Sequence, residues 1–304
     1  MTQSITQTSN AQQAARFVER ENYYLQAQPD FAAHAFIDEM RTACDPQSPT
    51  GFTLLDYRAA LDCEWPATTP VMLARYAKLR RGETLGSEFA AGGETYYVIA
   101  GAGVSRNRGD TIEWRQGDVF CFGGGAATHH AAGADDCLLW VVTDEPLQAF
   151  LGVHALGTRG HAKAALHFPA AAIGAELAAA QRREVAKGSA SNGNAAFIFS
   201  SQDGMARRCL PFPALMLALN SLVAGSEQRP HRHNSAALTL VLAGERCHSM
   251  IDGARHDWLP HAAIVTPPGQ LHSHHNHGTD VARVLIAQDS GVHYYLRSAG
   301  FSYG

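Results

Sequence analysis

The feature that most constrains this chain is a spaced set of residues in its C-terminal third: Gly225, His231, His233, Gly244, Pro267, Gly269, His272 and Asn276. Side chains alternate faces along a β-strand, so His231 and His233 share one face while Arg232 points away. His272 follows a second apolar run and the turn Pro267-Pro268-Gly269. A neighbouring strand of the same small barrel would bring this third imidazole to that face. Three imidazoles suit iron, zinc, nickel or copper far better than calcium or magnesium. The spacing therefore predicts a β-barrel with a metal inside it.

The same frame recurs in the first half of the chain. Gly82, Glu88, Ala90, Glu94 and Gly101 repeat its first part, with both histidines replaced, and Gly123, Gly125 and Thr128 stand at the proline, glycine and histidine positions of its second part. Internal repetition of this kind predicts two barrels in tandem, the first without ligands. His129 and His130 sit one and two places late, and on this reading need a register shift or bulge to reach a barrel centre. β-Prone runs closed by glycine turns support both barrels: Glu94-Thr95-Tyr96-Tyr97-Val98-Ile99 ahead of Gly101, and Ala237-Leu238-Thr239-Leu240-Val241-Leu242 ahead of Gly244. Helical spacing replaces this pattern around Ala33, Phe36, Ile37 and Met40, and in the alanine-rich stretch from Ala170 to Val185. The expected organisation is a helical N-terminal arm over residues 1–66, a barrel without metal ligands over 67–153, a helical linker over 154–195 and a metal-binding barrel over 196–304.

The two-part frame resembles the signature of the cupin superfamily, G-x5-H-x-H-x3-E-x6-G followed by P-x-G-x2-H-x3-N. That resemblance implies a mainly β fold, two tandem cupin barrels of the double-stranded β-helix or jelly-roll type. One position departs from it: Ala237 stands where many cupins place a ligating glutamate, which implies a site of three histidines without a carboxylate. A closer resemblance lies in His231-Arg232-His233-Asn234-Ser235-Ala236-Ala237-Leu238 and His272-Ser273-His274. These are similar to the metal-site strands of gentisate 1,2-dioxygenases and their salicylate and 1-hydroxy-2-naphthoate relatives, bicupins with one iron-bearing and one degenerate barrel. Tyr96 to Gly103, Thr143-Asp144-Glu145-Pro146 and Leu151-Gly152 resemble that family's other barrel.

The resemblance implies that His231, His233 and His272 hold Fe(II) and that the enzyme cleaves the ring of a hydroxylated aromatic acid, gentisate or a substituted salicylate, inserting O2 beside the carboxyl-bearing carbon. His274, two residues beyond His272, shares the inward face of an extended strand, and is expected to contact the substrate and act as the catalytic acid–base group. Thr239 stands at the family's substrate-binding arginine and Leu271 replaces a tryptophan, while the iron falls in the second barrel rather than the first. The carboxylate partner then has to come from elsewhere, with Arg208, Arg229, Arg283 and His274 as candidates. The remaining histidines of this region, His248, His256, His261, His275 and His277, are expected to be solvated loop or strand-end residues.

Composition bounds the alternatives. A chain of 304 residues, 46% hydrophobic, can bury one large core or two ordinary ones. A net charge of −4 without a basic cluster argues against nucleic acid or an anionic membrane as partner. No apolar run approaches a membrane span, no secretion signal is visible, and six cysteines without C-x-x-C spacing read as reduced thiols. The expectation is a cytoplasmic homo-oligomer acting on a small aromatic acid and O2. Two other classes remain open: an O2-independent, metal-dependent isomerase, lyase or hydrolase of the same barrel, and a non-catalytic bicupin that binds small molecules.

Overall fold

The computed structural model describes residues 10–24, 30–153, 165–188, 191, 193–201 and 211–304. Residues 1–30 form one unit, containing the short helices Asn10–Ala14 and Arg20–Tyr24, and residues 31–304 form a second. The second unit is built from antiparallel sheets in two sets that repeat one pattern.

In the first set, the strands Val119–Gly123, Gly93–Ala100, Cys137–Thr143 and Leu73–Leu79 lie in that order within one sheet, facing the sheet Thr84–Ser87, Thr128–Ala132, Ala102–Asn107 and Asp110–Arg115. The second set has Ala263–Thr266, Ala237–Ala243, Ala282–Gln288 and Met216–Leu222 in the same order, and Ala254–Asp257, Cys247–Ile251, His272–Asn276 and His231–His233 in its smaller sheet. The chain is thus a two-barrel, mainly β protein, as the repeated frame predicts. Strand pairing fixes the equivalences between the barrels. Thr128 lies opposite Ser87 as His272 lies opposite His231, and Glu94 lies opposite Phe122 as Ala237 lies opposite Thr266. Ser87, one place before Glu88, therefore occupies the position of the first histidine.

The large sheets are apolar on both faces because each is buried on both faces. Along Cys137–Thr143, Leu138, Trp140 and Val142 enter a core shared by the two barrels, and Cys137, Leu139 and Val141 fill the first barrel. Along Ala237–Ala243, Leu238 and Leu240 enter the shared core, while Ala237 and Val241 face into the second barrel. Thr239, with the parity of Ala237 and Val241, faces the same interior. The Tyr76 hydroxyl donates to the His261 carbonyl at 2.5 Å and ties the two barrels together.

The segments expected to be helical contain strands as well. His34–Phe36 pairs with Ala263–Thr266 and Gly51–Leu54 with Leu73–Leu79, so the stretch before residue 66 extends both large sheets. Helical spacing around Phe36 gives way because Phe36 is 1% exposed in the shared core, and the open sheet edge supplies its backbone partners; the helix begins at Ile37 and runs to Cys44. The linker holds the expected helix, Ala170–Ala186, preceded by the strand Leu166–Phe168 on the first barrel. The cysteines at 44, 63, 121, 137 and 247 are free thiols, and Cys209 lies outside the described residues.

Candidate metal centre

Two strands and one turn bring the predicted histidines together. His231 and His272 face each other across a strand pair, and the Gly269 N–H donates to the His233 carbonyl at 2.7 Å. Gly269 has φ +76°, a left-handed conformation that costs a glycine nothing. Asn276 anchors the far end of the same strand: its side-chain amide donates to the carbonyls of Leu222 at 3.0 Å and Asp280 at 2.8 Å and accepts from the Gly278 N–H at 2.9 Å. This asparagine of the frame works on the backbone rather than on a ligand.

One ring nitrogen each of His231, His233 and His272 lies within 4.8 Å of the others. The outer nitrogens are all held by main chain. Nδ1 of His231 lies 3.1 Å from the Arg229 carbonyl, that of His233 2.8 Å from the Ser235 carbonyl, and that of His272 2.9 Å from the Gln270 carbonyl. A carbonyl only accepts, so each Nδ1 carries the proton and each Nε2 offers a lone pair. The Gln288 amide, 3.1 Å from His233 Nε2, donates to one of those lone pairs. Burial disfavours the charged rings and lowers all three pKa values, that of His272 to about 3. Three neutral imidazoles with inward lone pairs are the donor set a borderline transition-metal ion requires, so the residues fit such an ion.

His274 has the opposite tautomer. The Trp258 indole N–H donates to Ser249 Oγ at 2.8 Å, and Ser249 Oγ lies 2.9 Å from His274 Nδ1. With an indole proton already on its oxygen, the serine satisfies its own O–H by donating to His274 Nδ1, which leaves the proton of the neutral ring on Nε2. Complete burial keeps the ring neutral, its pKa held well below the ordinary value. His274 thus offers the interior a hydrogen-bond donor where the other three offer lone pairs, and it lies outside the cluster of close nitrogens.

These groups line a cavity of about 50 Å³ together with Asn220, Gln228, Ala237, Thr239, Thr266, Ile286 and Gln288. Thr239 is 2% exposed, and the Ala237 methyl sits where a ligating carboxylate was missing from the frame. Asn220 Oδ1 and Gln228 Oε1 are buried acceptors with no hydrogen-bond partner among the described residues, a state that costs free energy until a donor arrives. Sequence reasoning missed this amide group, although Asn220 is the lone amide in the apolar strand Met216–Leu222 and shares the inward parity of Leu222. Of the arginines considered for a substrate carboxylate, Arg229 stacks on the Tyr303 ring at 4.3 Å and Arg283 borders a different cavity. Arg208 lies outside the described residues. His248, expected in solvent, is 5% exposed.

A family model for the cupin domain matches residues 219–287, the strands that build this site. Among curated proteins, 5-aminosalicylate 1,2-dioxygenase of Comamonas sp is 30% identical over 123 residues, 38% of this chain and 32% of that protein. Gentisate 1,2-dioxygenase of Ralstonia sp is 27% identical over 86 residues, 28% of this chain and 24% of that protein. The chain thus spans a third or less of the length of these relatives. Among solved structures, salicylate 1,2-dioxygenase from Pseudoaminobacter salicylatoxidans, with gentisate adducts, superimposes with a TM-score of 0.75 at 12% identity, over 93% of this chain and 88% of that one.

Proposed function

We propose, from its two-barrel fold and its similarity to gentisate and salicylate dioxygenases, that this chain is a non-haem Fe(II) ring-cleaving dioxygenase of a hydroxylated aromatic acid, gentisate or a substituted salicylate, that inserts O2 next to the carboxyl-bearing carbon. The observation that carries the reading is the pairing of three inward lone pairs with one inward N–H in a single cavity. His231, His233 and His272 would hold the iron, which when bound supplies electron transfer between a chelating aromatic acid and O2. His274 Nε2–H donates to the substrate's phenolic oxygen, and the Ser249–Trp258 relay holds that ring in its donor tautomer. Asn220 Oδ1 and Gln228 Oε1 accept hydrogen bonds from ring substituents, while Thr239 and Ile286 shape the wall against which the ring packs.

A second reading has its own observation. The cavity is about 50 Å³ and its polar wall is amide, hydroxyl and imidazole, whereas a benzene-sized ligand needs about 150 Å³. Ring cleavage therefore requires the barrel mouth to widen, while an O2-independent isomerase, lyase or hydrolase acting on a smaller molecule would use the site as it stands. Oxygen uptake decides between them. With the Fe(II)-loaded protein and a panel of hydroxylated benzoates, the dioxygenase reading expects one O2 consumed per ring cleaved and no product anaerobically. Turnover that continues without O2 overturns it.

A further inference from the structure

We infer that the outer face of the second barrel carries a separate binding site for a divalent transition-metal ion, built from His248, His275 and His277. One ring nitrogen from each lies within 4.8 Å of the others, on the side of the sheet opposite the cavity. His272 and His274 face inward, so alternation sends His275 and His277 outward. Cys247–Ile251 pairs with this strand so that His248 lies directly opposite His275. The row continues on both sides, with Asp257 opposite His248 and Glu227 bridged to His275.

The three rings are nearly parallel. His248 lies 4.6 Å from His275 and 5.3 Å from His277 between centroids, at interplanar angles of 7° and 14°. Imidazole nitrogens on one tetrahedral zinc stand roughly 3.4 Å apart, from bonds of about 2.1 Å, so the rings must turn out of their stack for the in-plane lone pairs to converge on one ion. Two independent features point to a ligand. His248 is 5% exposed, yet its Nδ1 has no hydrogen-bond partner among the described residues, an unfavourable state for a buried polar atom that a bound cation would relieve. His275 Nδ1 lies 3.2 Å from Glu227 Oε1 and its Nε2 lies 2.8 Å from Ser273 Oγ. The carboxylate holds the proton on Nδ1, the arrangement that orients metal-bound histidines, and leaves Nε2 as the lone-pair nitrogen, which accepts from the Ser273 hydroxyl until an ion displaces it. His277 is exposed and leaves the ion a route in from solvent. Arg255, the nearby cation, is paired with Asp257 at 2.7 Å.

Imidazoles select zinc, nickel or copper over calcium and magnesium. An ion here would clamp Cys247–Ile251 to His272–Asn276, the strand whose other face carries His272 and His274.

The test is zinc binding to the full-length, chelator-stripped protein, followed by calorimetry and metal analysis. His277→Ala and His248→Gln are each expected to lose one zinc equivalent relative to the unsubstituted chain, or to weaken it at least tenfold, and His272→Ala is expected to retain that equivalent. Zinc should also raise the melting temperature of His272→Ala but not of His272→Ala/His277→Ala. Because His277 is exposed, its replacement keeps the test decisive even if His248→Gln fails to fold. Identical zinc number and affinity in His277→Ala and the unsubstituted chain would overturn the inference. This comparison stands whether or not the inner triad binds metal.

Discussion

The two barrels share a scaffold and one buried relay, and differ in the side chains at the ligand positions. In the second barrel Trp258 and Ser249 hold His274; in the first, Trp114 donates to Ser105 Oγ at 2.7 Å, and that oxygen lies 2.6 Å from Nδ1 of His130. The spacings match, nine residues from serine to tryptophan and 25 from serine to histidine in both. The positions of His231, His272 and Ala237, by contrast, hold Ser87, Thr128 and Glu94 in the first barrel. Its carboxylate is engaged through one oxygen, with Glu94 Oε2 accepting from Tyr96 at 2.6 Å and from Thr128 at 2.7 Å, while Oε1 is buried without a partner among the described residues. Barrel geometry and an inward N–H donor are therefore not enough to assemble a set of donors that could hold a metal. The lone pairs of three imidazoles separate the two interiors.

The comparison breaks first at His272. His272→Ala should lower Fe(II) affinity roughly 100-fold or more, since two remaining imidazoles are left without their partner, whereas Thr128→Ala should leave iron content unchanged. Metal analysis after anaerobic loading and desalting checks both, and equal iron in His272→Ala and the unsubstituted chain would show that the triad is not the iron site.

The relay histidines test whether one device has two uses. His274→Ala should keep its iron while ring-cleavage turnover falls by about 10²-fold, the usual scale for a positioned acid–base group. His130→Ala should leave turnover untouched and cost about 1–3 kcal/mol in denaturant unfolding, because it strands the Ser105 hydroxyl. Iron loss in His274→Ala matching that of His272→Ala would make His274 a ligand.

The smallest effect sharpens the contrast between Glu94 and Ala237. Burial raises the Glu94 pKa from its ordinary carboxylate value to about 7. The folded state therefore binds a proton between pH 4.5 and 7 that the unfolded chain has released, and stability falls as pH rises through that window. Between pH 5 and 8 the unsubstituted chain should lose about 2 kcal/mol relative to Glu94→Gln. Urea unfolding at both pH values measures this, and parallel behaviour of the two proteins would mean that Glu94 is ionised when folded.

Much of this protein was legible from residue order alone, because the frame encodes local geometry. His231 and His233 share a face by strand alternation, a turn at Gly269 returns the chain, and the repeat from Gly82 onward implies a second barrel without histidines. Long-range packing decided the rest. His130 was expected to miss the first barrel's interior, yet it is 1% exposed without any bulge, since Thr128 and His130 share the parity that His272 and His274 share. Phe36 has helical spacing but lies on a strand, because the open sheet edge at Ala263, far along the chain, pairs with it. His274 could be placed beside the triad from its spacing, but its donor tautomer depends on Ser249, on the neighbouring strand, and on Trp258, just past the end of the strand after that. The row of His248, His275 and His277 was invisible for the same reason. A one-residue change of register would put those rings on the cavity side, and cross-strand register is set by the turns and packing of the whole barrel, not by the spacing of histidines along the chain.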